Sequence, residues 1–160
     1  MGLPGVGKST VASLLAARWG CASVDTDDLV AAGAGEPVGA FLDRVGEARF
    51  REAEAAALVG ALALDAVVST GGGIVTRDDV RATLRAELTL WLDADDHAIL
   101  ARLDGVPRPL LGDDAAAAIE RLRRERGVLY DEVSSVRVDA TGAPEVVADL
   151  IDAALAGGGA

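Results

Sequence analysis

The stretch Gly2-Leu3-Pro4-Gly5-Val6-Gly7-Lys8-Ser9 decides the fold class of this 160-residue chain. It matches the phosphate-binding loop pattern G-x-x-x-x-G-K-[ST] at every fixed position. In that pattern the glycines let backbone N–H groups turn toward an anion, the lysine reaches the β- and γ-phosphates, and the serine hydroxyl ligates Mg²⁺. The residues that follow predict a helix over Lys8–Trp19, whose positive N-terminal end faces the same phosphates. A glycine-rich turn before an ordinary helix is the alternative interpretation.

The composition indicates one acidic domain. The length fits a single domain over residues 1–160, and the net charge of −11 makes the chain a poor binder of nucleic acid or anionic membrane. We therefore expect neither as a partner, and we expect a monomer, although the sequence carries no signal for the oligomeric state. The single cysteine, Cys21, rules out an internal disulfide and fits a reducing cytoplasm, where we expect it as a buried thiol. No leader pattern and no long apolar run is present, which also favours a cytoplasmic protein.

Short apolar runs alternate with helical patterns along the chain, and this alternation predicts a three-layer α/β/α fold with a parallel sheet. The predicted strands are Ala22–Asp25, 66–70, 88–93 and 135–139. The predicted helices are Lys8–Trp19, 46–64, 78–84, 95–103, 114–130 and 144–156. Two glycines and two prolines interrupt the segment at about 104–113, which we interpret as a lid, and we expect a flexible tail at 157–160.

The start of the sequence departs from this pattern. A phosphate-binding loop normally follows a buried strand, yet only Met1 precedes Gly2. We therefore expect the strand that presents the loop to be missing, either because the printed chain is short at its N-terminus or because the sheet tolerates the gap. Its two neighbours would then carry unpaired backbone groups, each costing about 1–3 kcal/mol when buried.

Two polar motifs follow the first two predicted strands. Asp25-Thr26-Asp27-Asp28 places carboxylates at a strand end, where open α/β sheets bind ligands, so that one can serve a metal and another a substrate. Capping of the next helix by Asp27 or Asp28 is the alternative for one of them. Ser69-Thr70-Gly71-Gly72-Gly73 offers bare backbone that a ligand can approach closely, although a flexible turn would have the same composition.

Three arginines are candidates for holding anionic ligands. Arg51 lies in a predicted helix, Arg108 in the predicted lid and Arg126 near the end of another helix. Arginine binds carboxylates and phosphates through a planar fork. Arg51 also has Glu54 three residues later, so it forms an ordinary helix pair or is oriented by that pair toward a ligand.

The ordered set of motifs resembles the shikimate kinase family over nearly the whole chain. The residues that carry the resemblance are Gly2–Thr10, Asp25–Asp27, Phe50-Arg51 with Glu54, Thr70–Gly73, Arg108-Pro109-Leu110-Leu111, and Arg126 with Tyr130. The resemblance implies a nucleoside-monophosphate-kinase-like fold with a helical substrate-binding segment at about 28–60. It also implies transfer of the γ-phosphoryl group of MgATP to the 3-hydroxyl of shikimate, a step in aromatic amino acid biosynthesis.

The resemblance further implies roles for individual residues. The catalytic residues are Lys8, Asp27 and Arg108. Shikimate is bound by Asp27, Arg51, Gly71, Gly72, Gly73 and Arg126, with Phe41 and Phe50 as walls of the pocket. ATP is bound by Gly2, Gly5, Val6, Gly7, Lys8, Ser9, Thr10, Arg102, Arg108 and Pro144. Ser9 and Asp25 hold Mg²⁺.

Two other functions stay open on the residues alone. Another small-molecule kinase with a phosphate-binding loop, such as a gluconate kinase, would also bind a carboxylate between Arg51 and Arg126. A truncated, non-catalytic nucleotide-binding protein would fit the missing strand. The Asp-Thr-Asp and triple-glycine motifs favour shikimate.

Overall fold

The computed structural model describes residues 1–103 and 114–157. The eight helices of this part are Lys8–Trp19 (α1), Thr26–Ala34 (α2), Val38–Val45 (α3), Glu47–Leu62 (α4), Asp78–Arg85 (α5), Asp96–Leu103 (α6), Ala115–Val133 (α7) and Pro144–Gly157 (α8). The four strands are Ala22–Asp25 (β1), Ala66–Ser69 (β2), Leu90–Asp93 (β3) and Val136–Asp139 (β4). Every predicted strand and helix is present within three residues at each end. Helices α2 and α3 lie in the predicted substrate-binding segment and had no bounds from the sequence.

The strands form two parallel pairs. β1 pairs with β2, with Ala22 opposite Ala66, and β3 pairs with β4, with Leu90 opposite Val136. Within the described ranges, no strand joins β2 to β3. The expected parallel sheet is therefore present as two halves, and the interruption falls beside the phosphate-binding loop.

Apolar packing of helices on both halves makes the three layers of the α/β fold. Helix α1 packs on β1, β2 and α8, and α8 packs on β4, whereas α4 packs on β2 and α5 packs on α7. The buried core runs through all layers, as short aliphatic side chains on α1, β3 and α8 show. This packing holds the phosphate-binding loop in the space between β2 and β3. The loop lies at the end of the strands where ligands bind in open α/β sheets.

Three sequence predictions are corrected at this level. The cap of the helix after β1 is Asp25, whose side chain accepts a hydrogen bond from the backbone N–H of Asp27, so neither Asp27 nor Asp28 has this role. Cys21 is half-buried rather than buried. Gly157 is the last residue of α8 and not part of a tail.

The predicted lid at about 104–113, with Arg108, lies outside the described residues, and so do the last three residues. Among the described helices, none is long and apolar enough to cross a membrane.

Candidate active site

The conformation of the phosphate-binding loop requires glycine at two positions. Gly2 has a φ of 147°, and a Cβ there would lie 2.3 Å from the carbonyl oxygen of Leu92. Gly7 has a φ of 100° and caps α1 without a side-chain hydrogen bond. The loop thus leads directly into the N-terminus of α1, where helix N–H groups favour an anion. The Lys8 ammonium donates to the Leu3 carbonyl oxygen at 3.0 Å, which holds it along the loop.

Ser9 and Asp25 meet at the start of α1. The Ser9 hydroxyl donates to Oδ2 of Asp25 at 2.6 Å, while Oδ1 of Asp25 accepts the N–H of Asp27 at 2.9 Å. Across the described residues there is no group of three His, Cys, Asp or Glu side chains that could form a metal cage. One hydroxyl and one carboxylate fit Mg²⁺, which usually keeps several waters and binds through one or two carboxylates plus substrate phosphates.

A second cluster forms around the triple-glycine turn after β2. A Cβ on Gly71 would lie 2.5 Å from Oε1 of Glu54 and 2.6 Å from Oδ1 of Asp27. A Cβ on Gly73 would lie 2.3 Å from Nη1 of Arg51. The glycines are therefore required because two carboxylates and a guanidinium occupy the space above their backbone.

Charges in this cluster influence one another. Burial raises the pKa of the Asp27 carboxyl, with a further rise from the neighbouring Asp25, while the Lys8 ammonium opposes it. The opposition from Lys8 shows that the phosphate-binding loop and the second cluster lie within electrostatic reach of each other. Burial also raises the pKa of the Glu54 carboxyl, and the adjacent Arg51 guanidinium lowers it only in part.

Arg51 is fixed by partners on its own helix. Its guanidinium donates to Oε2 of the buried Glu54 and, at 3.2 Å, to Oε1 of Glu47. The guanidinium also lies over the Phe50 ring, 5.3 Å from its centre, and the Phe41 ring meets Phe50 edge-on at 6.2 Å. Phe50 is buried and Phe41 half-buried. The helix pair that the sequence suggested thus exists, and it orients Arg51 toward Gly73.

Helix α7 closes the other side of the cluster. The Tyr130 hydroxyl donates to the Gly72 carbonyl oxygen at 2.5 Å. Burial raises the pKa of Tyr130 to about 12, although the nearby Arg126 guanidinium opposes the rise. Arg126 also contributes to the field at Glu54, which places it beside the same cluster as Arg51. At the start of α2, the buried Thr26 hydroxyl accepts a hydrogen bond from the Gly71 N–H at 3.1 Å.

Arg102 connects the loop to the segment before α8. Its guanidinium donates to the carbonyl oxygens of Val6 at 3.1 Å, Thr141 at 2.8 Å and Gly142 at 2.9 Å. Gly142 lies two residues before Pro144, so the two residues expected around adenine are on neighbouring segments. The carbonyl contacts are all made by N–H groups at the edge of the Arg102 guanidinium.

The loop residues with Ser9 and Asp25 form one group of candidate site residues, and Asp27, Arg51 and the glycines Gly71–Gly73 form a second. Arg102 contacts carbonyl oxygens of the loop and of the segment before Pro144. Three contributors were missed as ligand-site residues: Glu54, Tyr130 and Thr26. The spacing of Arg51 with Glu54 and of Arg126 with Tyr130, one helical turn each, contained the signal for two of them.

A phosphate-binding loop with a Ser–Asp pair, beside a half-buried group of arginines and carboxylates, defines the chain as an ATP-dependent kinase of small molecules. Residues 4–155 match the family model described as shikimate kinase. The shikimate kinase of Gloeobacter violaceus is 40% identical over 153 residues, which cover 93% of this chain and 86% of that protein. The shikimate kinase of Corynebacterium efficiens is 36% identical, with 94% and 92% covered.

Solved structures agree with these relatives. The shikimate kinase from Acinetobacter baumannii in complex with shikimate superposes with a TM-score of 0.93 at 27% identity, covering 99% of this chain and 91% of that one. The enzyme from Aquifex aeolicus gives 0.84 at 30% identity, covering 99% and 95%. The chain belongs to the shikimate kinase family.

Proposed function

We propose that this chain transfers the γ-phosphoryl group of MgATP to the 3-hydroxyl of shikimate, giving shikimate 3-phosphate and ADP. The observation that carries the proposal is the second cluster: Arg51 and Asp27 meet above Gly71–Gly73, within electrostatic reach of Lys8. A hydroxy acid bound there would present its carboxylate to an arginine and a hydroxyl to an aspartate beside the phosphates.

A small set of residues would bind shikimate. Arg51, held in place by Glu54, binds the carboxylate together with Arg126 through charge-assisted hydrogen bonds. Asp27 orients the attacking hydroxyl and accepts its proton, a role that its raised pKa suits. The bare backbone of Gly71, Gly72 and Gly73 lets the ring approach, and Phe41 and Phe50 wall the pocket.

The residues around the ATP phosphates would neutralise the negative charge of the phosphates. The amides from Gly2 through Thr10 surround the phosphates, and Lys8 turns from the Leu3 carbonyl to the β- and γ-phosphates. Mg²⁺, when bound, would offset the negative charge that phosphoryl transfer has to accommodate. Ser9 and Asp25 would hold it, Arg102 and Pro144 would flank adenine, and Arg108, placed by the sequence alone, would contact the transferring group.

The chain's cellular setting follows from composition. A net charge of −11 and a single cysteine favour a cytoplasmic enzyme that binds neither nucleic acid nor membrane. We expect it to work as a monomer.

Acceptor specificity tests the proposed function. ADP release would be followed with shikimate, with gluconate and without acceptor, in the wild-type chain and in Arg51→Ala. Arg124→Ala is the matched control, because Arg124 is an exposed arginine paired with Glu120 on α7. We expect turnover with shikimate, and none with gluconate or without acceptor. Arg51→Ala should lose the turnover with shikimate, and Arg124→Ala should keep it. Turnover of gluconate in place of shikimate would assign the site to another hydroxy acid.

A further inference from the structure

The Tyr130 hydroxyl lies where α7 meets the triple-glycine turn, and the proposed phosphoryl transfer gives it no role. The side chain is 1% exposed, and burial raises its pKa to about 12, so the hydroxyl stays neutral at neutral pH. A buried tyrosine hydroxyl usually has a hydrogen-bond partner. Tyr130 has one partner on the glycine turn and another on its own helix.

The two contacts of this hydroxyl have opposite directions. Tyr130 donates its proton to the Gly72 carbonyl oxygen at 2.5 Å. Arg126, one helical turn earlier on α7, brings its guanidinium within hydrogen-bonding reach of the Tyr130 oxygen. A guanidinium only donates hydrogen bonds, whereas a hydroxyl both donates and accepts. The contacts therefore form one series, from Arg126 through the Tyr130 oxygen to the Gly72 carbonyl.

The ring that carries the hydroxyl is fixed by packing on β3. The Tyr130 and Trp91 rings lie with their centres 5.9 Å apart, and the Arg137 guanidinium of β4 lies 4.3 Å from the centre of the Trp91 ring. Trp91 is itself buried. Because buried side chains are closely packed, the hydroxyl has a fixed position, and the groups that bond to it have to meet it there.

Gly72 lies between the phosphate-binding loop and α7. A Cβ on Gly72 would lie 2.9 Å from the Gly2 carbonyl oxygen and 3.4 Å from the Tyr130 hydroxyl oxygen. The turn therefore approaches the loop as closely as a bare backbone allows. The hydrogen bond from Tyr130 joins this turn to the helix that carries Arg126.

Arg51 and Arg126 have orienting partners of different charge. Arg51 is paired with the carboxylates of Glu47 and Glu54, which offset part of its positive charge. The Tyr130 hydroxyl is neutral, so it can direct the Arg126 guanidinium without offsetting its charge. A ligand carboxylate would then meet in Arg126 a guanidinium that is fixed in direction and whose charge Tyr130 leaves intact.

We propose that Tyr130 is a positioning residue for the substrate carboxylate: its hydroxyl orients Arg126 toward the space above the glycine turn, where the Arg51 guanidinium lies, so that both arginines bind one carboxylate. The inference rests on the proposed function, because it takes shikimate as the ligand between the two arginines. Tyr130 does not contact the reacting atoms in this arrangement. Its loss should therefore act on substrate binding rather than on the chemical step.

Tyr130→Phe tests the proposal because it removes the hydroxyl and keeps the ring that packs on Trp91. Steady-state kinetics would compare this variant with the wild type, with Arg126→Ala and with the double variant. Ser134→Ala is the matched control, since it removes a hydroxyl just after the same helix, one that donates to the Asp131 carbonyl oxygen. Circular dichroism and the melting temperature report on the fold of each chain.

We expect Tyr130→Phe to raise the KM for shikimate about tenfold to a hundredfold, the range for a lost hydrogen bond to a charged group. The KM for MgATP should change by less than about twofold and kcat by less than about threefold, because the effect is on binding of one substrate. In the Arg126→Ala background, Tyr130→Phe should not lower kcat/KM for shikimate further, since the group that Tyr130 orients is gone. Ser134→Ala should behave like the wild type.

A second variant separates orientation from packing through its pH profile. Tyr130→tetrafluorotyrosine keeps the ring and the hydroxyl, but its phenol is several pH units more acidic. The charged groups that act on this hydroxyl are Arg126 on its own helix and Arg51 on α4. Once ionised, the phenol has no proton to donate to Gly72, and its negative charge offsets that of Arg126. The KM for shikimate should therefore rise with pH in this variant relative to the wild type.

An unchanged KM for shikimate in Tyr130→Phe, or an equal rise for shikimate and MgATP, would overturn the proposal. So would a further loss in the double variant, or a fluorinated chain whose KM follows that of the wild type at every pH. If Tyr130→Phe does not fold, the pH profile of the fluorinated chain decides. A wild-type chain that phosphorylates no shikimate would contradict the proposed function itself, and this inference with it.

Discussion

Gly73→Ala should disable substrate binding through Arg51 while leaving the fold intact. Gly73 has a φ of −91° and a ψ of −5°, which alanine adopts without strain. The new Cβ, however, would lie 2.3 Å from Nη1, 2.4 Å from Cζ and 2.4 Å from Nη2 of Arg51. Ordinary contact begins at 3.4 Å, so the guanidinium has to move by about 1 Å and loses its alignment with Glu54.

The magnitude follows from the contact that is lost. Removing one partner of a buried charge-assisted contact costs about 2–5 kcal/mol. At about 1.4 kcal/mol per tenfold, shikimate affinity should fall about 30-fold or more. Calorimetric titration with shikimate and with MgADP measures both sites, and nucleotide affinity should stay within about twofold, a small change on the same scale. Gly60→Ala, at an exposed position of α4 where a Cβ meets nothing within 4 Å, is the control.

A double-mutant cycle isolates the cause. If the clash with the guanidinium is the reason, adding Gly73→Ala to Arg51→Ala should cost no further affinity, because the clashing group is already gone. Additive losses in the double mutant, or a Gly73→Ala chain that binds shikimate like the wild type, would refute the reasoning.

Lys8→Met should reduce turnover at least a hundredfold with an unchanged circular dichroism spectrum, since a charge contact to the transferring phosphoryl group is lost; activity above about a tenth of wild type would contradict this. Arg126→Ala should weaken shikimate binding by about 2–5 kcal/mol and MgADP binding far less, as titration of both ligands would measure. Asp27→Asn should lower kcat strongly if Asp27 accepts the proton of the attacking hydroxyl. Because burial raises the Asp27 pKa, the acidic limb of the wild-type kcat/KM profile should lie above the ordinary carboxylate range. A limb in the ordinary range would be inconsistent with Asp27 as the proton acceptor.

The parts of the fold that depend on local patterns were predictable. The loop glycines, the apolar run at Ala22–Asp25 and the periodicity of α1 each specify their own conformation. The pairing of strands is different, because apolar runs such as Ala66–Ser69 carry no information about which edge they present. The position of Met1 as a ladder partner of β3 could not be predicted from one residue.

The candidate site shows the same division. Motif residues such as Lys8 and Asp25 could be selected as candidates because their chemistry and spacing are specific. Glu54 was recognised only as a partner of Arg51, since helix spacing does not show that its other oxygen would face Gly71. The contact of Tyr130 with Gly72 spans 58 positions, and only the packing of α7 against the glycine turn creates it.

The position of the transferred phosphate tests the central claim most directly. The chain would be incubated with MgATP and shikimate, and the product examined by proton–phosphorus correlation NMR. Because the proposed site holds the carboxylate between the two arginines and sets Asp27 at one ring hydroxyl, a single phosphomonoester coupled to the proton on carbon 3 is expected. Phosphate on another hydroxyl, a mixture of esters, or inorganic phosphate alone would contradict the arrangement of substrate between Arg51, Asp27 and the phosphate-binding loop.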